Sequence, residues 1–69
     1  MANKVKAFRG LIFAHFNSEA EFARELGWSR QRLSKMSNGK LQPDLKDIDA
    51  LSKALQTPPE KLMYIFLEQ

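Results

Sequence analysis

An all-α fold of five short helices is what this sequence predicts, and three observations carry it. Apolar residues recur at three- and four-residue intervals along the chain, the spacing of one helical face. The two-residue alternation of a half-buried strand appears nowhere. Capping residues, glycines and prolines punctuate the chain so that five short segments remain.

The first segment carries Val5, Phe8, Ile12 and Phe16 on one face, with Gly10 on the polar side at a cost of up to about 1 kcal/mol relative to Ala. The second opens at Ser18 with Glu21 three residues on, the spacing of a capping box, in which hydroxyl and carboxylate each satisfy an orphan amide. Phe22, Ala23 and Leu26 form its inner stripe, and Gly27 supplies a left-handed stop. The third begins at Ser29, a good N-cap, and runs to Ser37, where Asn38-Gly39 ends it. Pro43-Asp44 announces the fourth, with Asp47 in the capping-box position and Leu45, Ile48, Leu51 and Leu55 at helical spacing. Thr57 as N-cap, Pro58 at the first helical position and Glu60 open the fifth.

A chain of 69 residues with 43% hydrophobic content makes one small domain over residues 1–69, with a core but little stability to spare. The absence of cysteine excludes disulfides and thiolate metal sites, and a single histidine gives no metal cluster; no cofactor or metal is expected. His15 reads as a surface residue favoured by a helix C-terminus. The net charge of +3 is unevenly placed. Residues 1–26 sum to +1 and residues 41–69 to −2, whereas residues 27–40 hold Arg30, Arg32, Lys35 and Lys40 with no acid. A focused basic patch points to a polyanion, nucleic acid first. Lys4, Lys6 and Arg9 precede the apolar Leu11–Ala14, but that run is too short for a signal peptide and His15 interrupts it. No stretch is long enough to span a membrane, so no membrane partner and a cytoplasmic location are expected. No nucleophile-elbow pattern is present, and no enzymatic activity or small-molecule ligand is expected.

Only Gly27-Trp28-Ser29 separates the second and third helices, the tight join of a helix-turn-helix. Ala23 is small where the next helix crosses, Gly27 must reach positive φ, and Leu33 and Met36 point back to lock the pair. Trp28 is expected to pack inward. Residues 18–40, then Gln42-Pro43-Asp44, the Leu51–Leu55 stretch and the Thr57–Leu62 cap resemble the Cro and phage-repressor helix-turn-helix family, the XRE-like group, over nearly the whole chain. The resemblance implies a lambda-repressor-like DNA-binding domain with a central helix-turn-helix.

By position in that family, Arg30, Gln31, Ser34 and Lys35 face the major groove, and helical geometry independently sets them opposite Leu33 and Met36. Arg and Lys suit guanine acceptors and Gln suits adenine. Arg32 lies to one side, within reach of a base or a phosphate, while Ser29, Asn38 and Lys40 match phosphate-gripping positions. Two features depart from the family pattern. Glu19 replaces a common Gln and would repel the phosphate that Gln contacts, and Ile12 with Ser37 replaces a buried Arg–Glu pair.

The apolar run Leu62–Leu67 cannot bury every side in one domain. With Leu62, Ile65 and Phe66 inward, Met63, Tyr64 and Leu67 are left outside, either as an interface for a second copy or as scattered residues at a fraying terminus. The function expected is a sequence-specific, double-stranded-DNA-binding transcriptional regulator, a Cro-like repressor binding a two-fold operator as a homodimer, with no ligand or catalytic domain appended. The alternative is a protein-interaction module such as an antitoxin, with a protein docked on the C-terminal helix.

Overall fold

The punctuation of the sequence is realised as five helices in a computed structural model that describes residues 5–67: α1 (Lys6–His15), α2 (Glu19–Leu26), α3 (Arg30–Ser37), α4 (Leu45–Leu55) and α5 (Pro59–Leu67). Ser18 Oγ accepts the Glu21 amide at 3.1 Å and Ser29 Oγ accepts the Arg32 amide at 3.1 Å, so α2 and α3 each start on a hydroxyl cap. α4 carries the full capping box. Asp44 Oδ1 takes the Asp47 amide at 2.8 Å, and Asp47 Oδ2 takes the Asp44 amide at 3.2 Å.

One helix boundary differs from expectation, and another carries no signal in the sequence. α5 begins at Pro59, and the Pro58 carbonyl accepts from Lys61 and Leu62. The Thr57 hydroxyl does not cap α5; it donates to the Leu55 carbonyl at 3.0 Å. Pro59 has no N–H, which removes one of the amides a threonine cap would accept from. The C-cap of α4 is Gln56, held at φ 51°, a left-handed position with no glycine to mark it.

Phe8, Ile12, Phe22, Leu33, Met36, Leu51, Leu55 and Leu62 are fully buried, with Val5, Ala23, Ile48 and Phe66 close behind. Each large side chain so buried contributes roughly 1.5–3 kcal/mol, which is how so small a chain offsets its ordering entropy. α2 packs on α3 and α4 on α5, while α1 touches all four other helices. Two ring pairs mark its role: Phe8 meets Phe66 of α5 at 4.9 Å, and Phe16, just beyond α1, meets Phe22 of α2 at 4.8 Å. Ile12 and Ser37 are both fully buried, so the interior carries no ion pair there. The Ser37 carbonyl accepts the Val5 amide at 2.9 Å, tying the start of α1 to the end of α3.

Leu45 departs from the stripe expected of it. It lies one turn before Ile48, yet it is 79% exposed, on the rim of a groove that Ile48 and Phe66 also line. Among the described residues, no helix is long and apolar enough to cross a membrane.

Candidate nucleic-acid interface

The site is built on α3, and α2 sets its angle. Gly27 ends α2 at φ 74° and ψ 22°, and an added Cβ would meet nothing within 4 Å. The requirement for glycine is therefore conformational rather than steric. Trp28 N–H donates to the Ala23 carbonyl at 2.9 Å, closing the turn, and Ala23 is 2% exposed against the helix that follows. Leu33 and Met36 are fully buried and hold the inner side of α3.

The outer side of α3 is a shallow open concavity lined by Arg30, Gln31, Ser34 and Lys35, the four residues expected to read bases. Arg30, Gln31 and Lys35 are exposed and Ser34 is half-buried. Among the described residues, no acidic side chain lines that surface. Donors of three geometries stand side by side there: a guanidinium fork, a carboxamide and an ammonium.

The flanking positions are more committed. Ser29 is exposed but its oxygen accepts the Arg32 amide, leaving its O–H as the group free to donate. Asn38 is half-buried, and its Nδ2 donates to the Ser34 carbonyl at 2.9 Å and to Ser34 Oγ at 3.3 Å. Its first role is to end α3. The amides of Lys40 and Leu41 both donate to the Lys35 carbonyl, which folds the chain back after Gly39 at φ 76° and leaves Lys40 exposed.

Arg32 stands apart from the other expected contacts. Its guanidinium forms an ion pair with Asp47 of α4 and lies over the Trp28 ring, 4.1 Å from the centroid. Asp47 is 8% exposed and serves both Arg32 through Oδ1 and the capping box through Oδ2. Trp28 is consequently half-buried, packed on the core with one face under the guanidinium. The sequence identifies Asp47 only as a cap. Its second role joins residues fifteen apart and has no local signal.

Glu19 opens α2, where the positive end of the helix favours an acid. One of its carboxylate oxygens is shut from solvent with no hydrogen-bond partner, so a negative group stands at the position where a phosphate-contacting Gln was the family pattern.

On α5, Met63, Tyr64 and Leu67 are exposed, at 37%, 67% and 81%. Leu62 and Phe66 are buried and Ile65 half-buried, as the helical spacing requires. Met63 and Leu67 face Pro43 and Leu45 across an apolar groove of about 390 Å³ floored by Ile48 and Phe66. Leu45 belongs to this surface and was not legible as part of it. Among the described residues, no group of His, Asp and Glu is placed to hold a metal ion.

A family model described as helix-turn-helix, of the XRE type, matches residues 17–62, more than half of the chain. No curated protein sequence and no solved structure matches it.

Proposed function

The chain belongs to the XRE-type helix-turn-helix family, and from that premise we propose that it is a sequence-specific regulator that binds double-stranded DNA as a homodimer, in the manner of a Cro-like repressor. The observation that carries this is the outer face of α3, where Arg30, Gln31, Ser34 and Lys35 share one acid-free concavity on a helix locked from behind by Leu33 and Met36. In this reading α3 enters the major groove. Arg30 forks onto guanine, Gln31 onto adenine, Lys35 donates to guanine acceptors, and Ser34 takes either base. Ser29 and Lys40 meet the phosphates on either side, and Asn38 holds the loop that presents Lys40. The protein acts by occupancy and carries out no reaction.

Pairing is part of the same proposal. One small module buries roughly 600–1,000 Å² on DNA, less than many two-fold complexes. A second copy seated on Leu45, Met63, Tyr64 and Leu67 would double the contacts while leaving α3 on the duplex. The same groove favours one other reading, an antitoxin-like module whose partner is an unrelated protein.

Selection of bound sequences from a random duplex pool tests the proposal. The expected product is a two-fold motif with half-site centres about 34 Å apart. Enrichment of no sequence would defeat sequence-specific readout, and enrichment of a single half-site by a monomer would shift the balance to the antitoxin-like reading. Lys40→Ala should weaken every duplex alike and lower the salt slope by about one unit, measured by fluorescence anisotropy over a salt series.

A further inference from the structure

The pairing of Arg32 with Asp47 has a consequence for which basic residues reach DNA. α3 and α4 are not packed neighbours among the described residues, yet a side chain from each meets in the space between them. Arg32 is the third residue of α3, next to Arg30 and Gln31 on the helix that carries the readout face. Its side chain remains 40% exposed, so burial alone does not withhold it from a ligand. The hold comes from two partners, the Asp47 carboxylate and the Trp28 ring. Asp47 is itself fixed, because its other oxygen is committed to the Asp44 amide and its side chain is 11% exposed.

We propose that Asp47 is a specificity-determining positioning residue: by holding Arg32 against Trp28 it keeps that guanidinium off the duplex, so that three basic side chains, Arg30, Lys35 and Lys40, face DNA rather than four. This rests on the DNA-binding reading above. A free arginine beside Arg30 would raise affinity for every phosphate backbone and dilute the preference that base contacts supply. The carboxylate removes that sequence-blind contribution, and the residue so held also braces the start of α4 against the readout helix.

A double-mutant cycle on a duplex of random sequence and on the selected operator, read by anisotropy across a salt series, tests this. Arg32→Gln should leave the salt slope unchanged. Asp47→Asn keeps an oxygen for the Asp44 amide but gives up the charge, and should steepen the slope on random duplex by about one unit while narrowing the operator-to-random ratio. The combined variant should return to the slope of Arg32→Gln, which separates release of Arg32 from the change in net charge. A gain of one phosphate contact is not something structural damage produces, and circular dichroism melts of each variant monitor folding. Should Asp47→Asn fail to fold, Arg32→Gln alone decides. Loss of about one unit of slope in Arg32→Gln would show that Arg32 already contacts DNA and overturn the inference, as would an unchanged slope in folded Asp47→Asn. A wild type that binds no duplex would instead defeat the DNA-binding reading itself.

Discussion

The outer face of α3 and the groove between α4 and α5 are both exposed surfaces of one small core, and they differ in how much they say about a partner. On α3 the exposed groups are Arg30, Gln31 and Lys35, each with a donor geometry that suits particular acceptors. Along the groove they are Leu45, Met63 and Leu67, apolar groups that gain by being covered, whatever covers them. Polar geometry names a ligand chemistry, whereas apolar area names only an interface. The family match covers α3 whole and stops within α5, at Leu62, before the exposed Met63, Tyr64 and Leu67.

The harshest way to break this contrast is through the core that both surfaces share. Leu33→Ala should cost about 2–5 kcal/mol and abolish folding, DNA binding and pairing together, seen as a lost cooperative melt by circular dichroism. Leu67→Asp or Leu45→Asp touches the groove alone. Both residues are about four-fifths exposed in the single chain, so the helical spectrum should be kept, with a melt that no longer depends on protein concentration, while the dimer is lost and operator affinity falls about 100-fold or more. Light scattering over a concentration series reads the mass, and an unchanged dimer in both variants would move the interface elsewhere. Arg30→Ala should cost about 1–3 kcal/mol on the operator and relax preference at one base position per half-site, with no change in the melt. Equal weakening on every duplex would reassign Arg30 from bases to phosphates. Smallest is a pair of opposite sign at two left-handed helix ends. Gly27→Ala should destabilise by about 1 kcal/mol, whereas Gln56→Gly should stabilise by roughly 0.5 kcal/mol, both from melting curves.

That last pair also shows where sequence was legible. Gly27 announces its positive φ because glycine is the residue that reaches it without penalty, while Gln56 adopts the same conformation unannounced. Caps at Ser18, Ser29 and Asp44 could be read because each pairs with a residue three away. At Ser18 the structure shows the hydroxyl's half of the expected box, so even local spacing overstates slightly. Arg30, Gln31, Ser34 and Lys35 emerged together because the family resemblance marks those positions and the helix period sets them on one face. What stayed hidden was tertiary. The tie from Arg32 to Asp47 depends on how the start of α4 is placed relative to α3, and the exposure of Leu45 depends on where the core ends. Periodicity states which side of a helix is apolar but not how far the neighbouring helices extend beneath it.

The position of α1 in contact with all four other helices has a dynamic consequence. Phe8 and Ile12 of α1 are fully buried, and α2 also packs on α4, so the α2–α3 and α4–α5 pairs share one core and should not behave as independent foldons. Opening either pair exposes the residues that close the other, and the backbone amides in the middle of α3 and of α5 should then exchange with deuterium through the same global event. α3 thus borrows its rigidity in part from α1, which supplies no residue to the lining of the α3 concavity, and a substitution on the inner face of α1 should act on that concavity through the lifetime of the native state.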